Sequence, residues 1–568
     1  MKRVWWKESV VYQIYPRSFC DSNGDGIGDL EGIRSRLGYL RELGVDCLWI
    51  CPIYRSPNDD NGYDISNYTA IMDEFGTMDD FDRLLADAHA SGIKVIMDLV
   101  VNHTSDEHPW FIESRSSKTS PKRDYYIWRK GKPDGRPPNN WESIFGGSVW
   151  EYDETTDEYY LHLFSRRQPD LNWENPEVVR QVHEMVKWWL DKGIDGFRVD
   201  AINHIAKAEG LPDAPNPEGK KTAPAFHLFA NLPRVHDHLQ RLNREVFSGY
   251  DIMTVGETSG VGPEGALLYM GEDRGEFNMV FQFEHMGLDA GPSGGKWDPQ
   301  PWRLESLKRI MTRWQEEVHG KGWNANYFNN HDQPRAVSRF GDDGAWRKPS
   351  AKLLATLIHT LEGTPFIFQG EEIGMTNIAF PSIDDYRDVE TRNFYQAAME
   401  EGWPQERIMR AIWHSSRDNA RTPMQWDASA HGGFTSGTPW IGVNPNYREI
   451  NVAESLRDPE SIFRYYQRLI RLRKRYDVFV YGRYRLLLPD HSDIYAYTRT
   501  LRGHTLLVAL NFSGPDRNPP EFILPEGIAA RCRDQELLIA NYDVDVWESP
   551  SAFALRPYEA RVYLLTMD

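Results

Sequence analysis

The sequence predicts an α/β fold: a (β/α)8 TIM barrel with a small inserted domain after strand 3 and a C-terminal antiparallel β-domain. Three observations predict it. Short β-rich runs alternate with amphipathic helical stretches over most of the chain, polar residues collect where those runs end, and past about Tyr481 strands follow one another without helices. A chain of 568 residues exceeds one ordinary compact unit and has room for a barrel with smaller modules.

Eight runs supply the barrel strands: 10–16, 46–52, 94–103, 196–201, 252–258, 277–284, 325–332 and 364–372. Between them lie stretches such as 30–44 and 176–193, whose apolar residues fall three and four apart. A doubly wound sheet would need a glycine-rich dinucleotide turn after the first run, and the sequence has none there.

The rhythm breaks twice. Residues 104–176 are rich in Trp, Tyr, Asp and Pro without a strong helical pattern, and read as an inserted domain; 375–450 is polar and loop-rich. The expected division is a barrel from 1–103 and 177–480, the insert at 104–176, and a C-terminal β-sandwich at 481–568.

Charge narrows the function classes. Lys and Arg total 65 against 84 Asp and Glu, a net charge of −19, which repels nucleic acid and anionic lipid and suits a neutral substrate. No apolar run is long enough for a membrane span or a signal peptide. Cys20, Cys47, Cys51 and Cys532 have no zinc-ligand spacing, and three of them lie in apparent strands or their ends and read as reduced structural thiols, the usage of a cytoplasmic chain.

The ends of the runs carry the chemistry. In GFRVDA, side-chain alternation puts Arg198 and Asp200 on one face. With Asp98, Asn102 and His103 closing the third run, Glu257 the fifth, and His331 and Asp332 the seventh, several strands deliver carboxylates to one mouth of the barrel. An arginine beside gathered carboxylates holds one ionised, and an ionised carboxylate beside a protonated carboxyl is the arrangement that cleaves a glycosidic bond.

In this order, DLVVNH (98–103), GFRVDAINH (196–204), GET (256–258) and NHDQPR (330–335) resemble the four conserved regions of the α-amylase family of glycoside hydrolases. QPDLNWENP (168–176) further resembles its oligo-1,6-glucosidase and α-glucosidase subfamily, and the likeness runs from YQIYPRSF to the β module. The resemblance implies a retaining double displacement, with Asp200 as nucleophile, Glu257 as general acid/base and Asp332 as the third carboxylate.

It also implies that His103 and His331 bond the reacting sugar, Arg198 orients the nucleophile, Tyr63 stacks under the ring, and Asp60 with Arg417 closes the far wall. Phe164, Gln168 and Ala201 complete the expected substrate-binding set. A closed wall makes a pocket for chain ends.

In DSNGDGIGD, the oxygens of Asp21, Asn23, Asp25 and Asp29 and the Ile27 carbonyl alternate as a Ca²⁺ loop requires, although the bidentate Glu of an EF-hand is replaced by Gly32. The resemblance implies a structural Ca²⁺ or Mg²⁺ there, and catalysis that needs no cofactor.

In the subfamily, valine after the nucleophile accompanies preference for α-1,6 bonds and smaller residues accompany acceptance of α-1,4 bonds. Ala201 therefore points to an exo-acting α-glucosidase on maltose and short malto-oligosaccharides, with transglucosylation open to any retaining enzyme. The alternative is an oligo-1,6-glucosidase acting on isomaltose-type bonds. Further behind stand a sucrose isomerase, whose arginine-rich loop is not matched by 285–295; a trehalose-6-phosphate hydrolase; and a non-enzymatic transporter-associated barrel, which would lack the full carboxylate set. The expected partner is an oligosaccharide, with neither nucleic acid nor membrane, for a monomer or homodimer.

Overall fold

A computed structural model describes residues 2–292, 295–545 and 548–567. Ser293 and Gly294 of the segment compared with the isomerase loop, and residues 1, 546, 547 and 568 of the outer modules, lie outside the described residues.

All eight expected runs form strands: β1 (Val11–Ile14), β2 (Cys47–Ile50), β3 (Lys94–Val100), β4 (Gly196–Asp200), β5 (Met253–Glu257), β6 (Met279–Phe281), β7 (Ala325–Asn326) and β8 (Thr364–Phe368). They pair in the order β6-β5-β4-β3-β2-β1-β8-β7. A parallel bridge from Val280 to Asn324 joins β6 to the start of β7 and closes the ring.

Strand β4 is buried at all five positions, as a barrel stave covered on both faces must be. Its outward Phe197 and Val199 meet the surrounding helices, leaving Arg198 and Asp200 for the inside. Helix Pro176–Asp191 delivers this strand; Asn175 caps it by accepting from the Glu177 N–H, and Pro176 occupies its first turn. The stretch 30–44 is two helices, Leu30–Ser35 and Leu37–Leu43, because Arg36 leaves the helical region at φ −103°, ψ 6°.

Within 104–176 a three-stranded antiparallel sheet forms from Trp128–Arg129, Trp150–Asp153 and Glu158–Leu161, after a helix at Pro109–Ser116. The expectation of loops at 375–450 is corrected. Helices Val389–Glu400 and Gln405–Ser415 lie there, and their apolar side packs into a separate cluster around Tyr386, Ile408 and Ile412.

The C-terminal module holds a five-stranded antiparallel sheet of β9 (Arg483–Leu487), β10 (Ile494–Leu501), β11 (His504–Asn511), β13 (Cys532–Ala540) and β15 (Ala560–Met567), in the order β9-β10-β11-β15-β13. A two-stranded sheet, β12 (Glu521–Ile523) with β14 (Ala552–Ala554), faces it across Leu507, Phe522 and Phe553. Among the described residues no helix is long and apolar enough to cross a membrane.

Candidate active site

Parallel pairing fixes the first contact. Gly256 lies opposite Val199 in the β4–β5 register, so Asp200 and Glu257, one residue further on, finish neighbouring strands on the same side. Arg198, 1% exposed, ties the cluster together. Its Nη1 donates to Asp98 Oδ1 at 2.6 Å and Asp200 Oδ1 at 2.7 Å, and its Nη2 lies 2.7 Å from Glu257 Oε1.

Asp98 is a hub of this cluster. Its other oxygen accepts from Trp49 Nε1 at 2.8 Å and from the Tyr63 hydroxyl at 3.1 Å. The indole of Trp49 faces the guanidinium of Arg198 at 5.1 Å, a contact that favours the cation.

Burial pushes the Asp200 carboxyl well above the usual carboxylate range; Arg198 opposes that rise, while the charges of Glu257, Asp98 and Asp332 add to it. The expectation that Arg198 keeps Asp200 ionised is therefore corrected for the free site. The arginine pulls in the expected direction, and burial among three acidic neighbours outweighs it. One guanidinium shared among three carboxylates favours retention of a proton within the cluster.

A second set surrounds Asp332. Its Oδ1 accepts from Arg421 Nη2 at 2.8 Å and Arg417 Nη1 at 3.2 Å, and Oδ2 lies 3.1 Å from His331 Nε2. Burial would raise this carboxyl, but His331, Arg417 and Arg421 together hold it well below the usual range. The same neighbour, working against burial, lifts His331 to about 10.

Arg417 also bonds Asp60 Oδ1 at 3.0 Å and Asp388 Oδ1 at 2.6 Å, and Gln168 Nε2 donates to Asp60 Oδ2 at 3.1 Å. The Asp60–Arg417 pair expected from sequence is thus present, and it belongs to a buried network rather than a surface ion pair.

Tyr63 lies parallel to the His331 ring, centroids 5.1 Å apart at 6°. His103 sits against Phe164 at 5.1 Å and within 3.2 Å of Gln168 Nε2, and burial lowers it to about 4, so it is neutral at physiological pH. Every expected substrate-binding residue accordingly falls in one connected region. Sequence reasoning missed Arg421 and Asp388, both fully buried. Arg421 stands one helical turn beyond Arg417, whereas nothing around Asp388 distinguishes it from a helix cap, a function it also performs for Glu390 and Thr391.

Ala201 has left-handed backbone angles, φ 44° and ψ 30°, and its N–H donates to Glu257 Oε2 at 2.9 Å. The residue after Asp200 thus contacts the partner carboxyl through its backbone.

The loop 21–29 supplies hard oxygen donors of the type Ca²⁺ takes. Its carboxylates also serve the loop itself: Asp21 accepts from the N–H groups of Asn23, Gly24 and Gly26 and from the Thr435 hydroxyl, and Asp29 accepts from Ser22 and Gly32. Among the described residues no group of three or more His, Cys, Asp or Glu is placed to hold a metal. The loop thus offers oxygens of the right type, and in this structure those of Asp21 and Asp29 are engaged by the loop's own N–H groups and by hydroxyls.

Residues 13–482 match the model of the α-amylase catalytic domain. The chain is 63% identical, over all of both chains, to an oligo-1,6-glucosidase of Parageobacillus thermoglucosidasius, and 59% identical, over 99% of each, to one of Halalkalibacterium halodurans. Among solved structures it is similar to a trehalose-6-phosphate hydrolase of Bacillus licheniformis, with a TM-score of 0.93 and 50% identity over 99% of this chain and 100% of that one.

Proposed function

This chain belongs to the α-amylase family of glycoside hydrolases, and we propose that it is an exo-acting, retaining α-glucosidase that removes glucose from the non-reducing ends of short oligosaccharides, with α-1,6 bonds preferred. The observation that carries the chemistry is the Arg198 fork, which brings Asp200 and Glu257 onto one guanidinium. Retaining cleavage needs two carboxyl groups about 5–5.5 Å apart, and neighbouring strand ends bridged by one arginine support that spacing.

In the proposed reaction Glu257 protonates the glycosidic oxygen as Asp200 attacks the anomeric carbon, breaking the bond to the leaving sugar and forming a glycosyl ester on Asp200. Glu257, now ionised, takes a proton from water; the water oxygen bonds the anomeric carbon, and Asp200 leaves. At the moment of attack the proton kept in the cluster must lie on Glu257 and not on Asp200; Arg198 then holds the Asp200 carboxylate and the Ala201 N–H positions the carboxyl of Glu257.

Asp332, held ionised by His331, Arg417 and Arg421, supplies acceptors for the hydroxyls of the bound glucose. His103, neutral, offers one donor and one acceptor. Asp60 paired to Arg417 supports a wall beyond the terminal glucose, hence attack at chain ends. The relatives named oligo-1,6-glucosidase support the α-1,6 preference.

A second reading, maltose and other α-1,4 substrates, rests on Ala201, whose small side chain leaves room where the leaving sugar departs. The test is kcat/KM for isomaltose beside maltose, following glucose release. A higher value for isomaltose supports the first reading, and a higher value for maltose replaces it with the second.

A structural Ca²⁺ or Mg²⁺ at Asp21, Asn23, Asp25, Ile27 and Asp29 is part of the proposal, supported by the oxygen donor set; no catalytic step uses it. The four free thiols support a cytoplasmic location.

A further inference from the structure

The inner face of the C-terminal sandwich changes character part-way along its strands. On β9 the residues that alternate onto this face are Leu487, Arg485 and Arg483; on β10 they are Ala496, Thr498 and Thr500; on β11, Leu507 and Thr505. The registers align them, with Leu487 opposite Ala496, Arg485 opposite Thr498, Arg483 opposite Thr500, and Thr500 opposite Thr505.

Where β12 and β14 cover the sheet, these positions are apolar and belong to the sandwich core with Phe522 and Phe553. Beyond that cover the same face holds two arginines and three threonines. It lines a cavity of about 710 Å³, walled by Ile528 and Met567 and with Glu316 and Arg531 also on its lining. That volume is in the range of small-ligand sites, roughly 300–1,000 Å³.

The arginines are the informative feature. The chain carries a net charge of −19 and most of its arginines are matched to carboxylates, yet Arg483 and Arg485 make no ion pair among the described residues. Two residues apart on one strand, they project the same way. The hydroxyls of Thr500 and Thr505 meet at 3.0 Å beside them, leaving further acceptor and donor capacity toward the cavity. Guanidinium groups suit phosphate oxygens, hydroxyls suit a polyol, and Ile528 with Met567 gives an apolar wall.

We propose that this cleft binds a small organic phosphate with a hydroxyl-bearing body, a hexose monophosphate in chemical class, at a site separate from the carboxylate cluster. The phosphate takes Arg483 and Arg485, and the hydroxyls take the threonine rim. Glu316, also on the lining, offers its carboxylate as an acceptor to the hydroxyls of the body.

The test is calorimetric titration of the full chain with glucose 6-phosphate, inorganic phosphate and maltose, on the wild type and on the Arg483→Gln/Arg485→Gln variant. Both substitutions lie at exposed positions, so disaccharide hydrolysis should stay within twofold. The expected result is saturable binding of glucose 6-phosphate that weakens at least tenfold in the variant and falls with salt. Absence of saturable binding, or binding equal in both proteins, overturns the proposal. Binding of inorganic phosphate with glucose 6-phosphate excluded also overturns it, because the threonine rim would then add nothing.

Discussion

Replacing Ala201 by valine tests the proposal that the position after Asp200 sets linkage. Ala201 is 6% exposed, so two added methyls must go into the cleft wall or displace a neighbour. A methylene-scale change in a pocket discriminates substrates by ~1–3 kcal/mol, about 5- to 150-fold. The substitution also places a β-branched residue at φ 44°, where alanine already bears the left-handed penalty of roughly 1–2 kcal/mol and branching at Cβ adds further strain. Two readouts separate these effects. The strain acts on the fold and lowers the melting temperature; the steric effect acts on the leaving sugar and raises the ratio of kcat/KM for isomaltose over maltose by about tenfold. Because the Ala201 N–H holds Glu257, a backbone shift would instead depress both substrates equally. A ratio unchanged within twofold, with the melting temperature lowered, would refute Ala201 as a linkage selector.

Glu257→Gln should cost ~10²–10⁴ in kcat on a disaccharide, and azide should restore turnover of an activated α-glucoside with α-glucosyl azide as product. Arg417→Ala leaves Asp60 and Asp388 buried and unpaired, so stability should drop by about 3–5 kcal/mol in denaturant unfolding, with KM raised in whatever fraction folds. The folded-state value of His331 is raised to about 10, so its charge stabilises fully below its unfolded value of about 6.5 and that contribution is lost as pH climbs through the folded value. Melting temperatures of wild type and His331→Gln should accordingly differ most at pH 6 and converge toward pH 10. Chelation with EDTA should lower the melting temperature if the 21–29 loop holds its cation, and added Ca²⁺ should restore it; Asp21→Asn should abolish both responses.

The barrel was legible because its signals are local. Each strand is a short apolar run bounded by turns, and the residues closing those runs are the ones the structure gathers, from Asp98 to Asp332. Strand alternation alone placed Arg198 and Asp200 together. What the sequence hid is pairing at long range. Arg421 and Asp388 join Asp332 through contacts spanning dozens of residues, and no periodicity marks them. The helices at 389–400 and 405–415 were hidden for another reason: they pack on a small cluster of their own, so their apolar stripe is short. The net effect of Arg198 was misread because a sequence shows a neighbouring charge but not the depth at which Asp200 is buried.

The proposed mechanism requires a covalent glycosyl ester on Asp200. The direct measurement is peptide mass mapping after inactivation with an activated 5-fluoroglucosyl substrate, which slows release of the intermediate. The expected result is a fluoroglucosyl adduct on the peptide carrying Asp200, with none formed by Asp200→Asn. An adduct on another carboxylate, or inactivation of the variant at the wild-type rate, would contradict it.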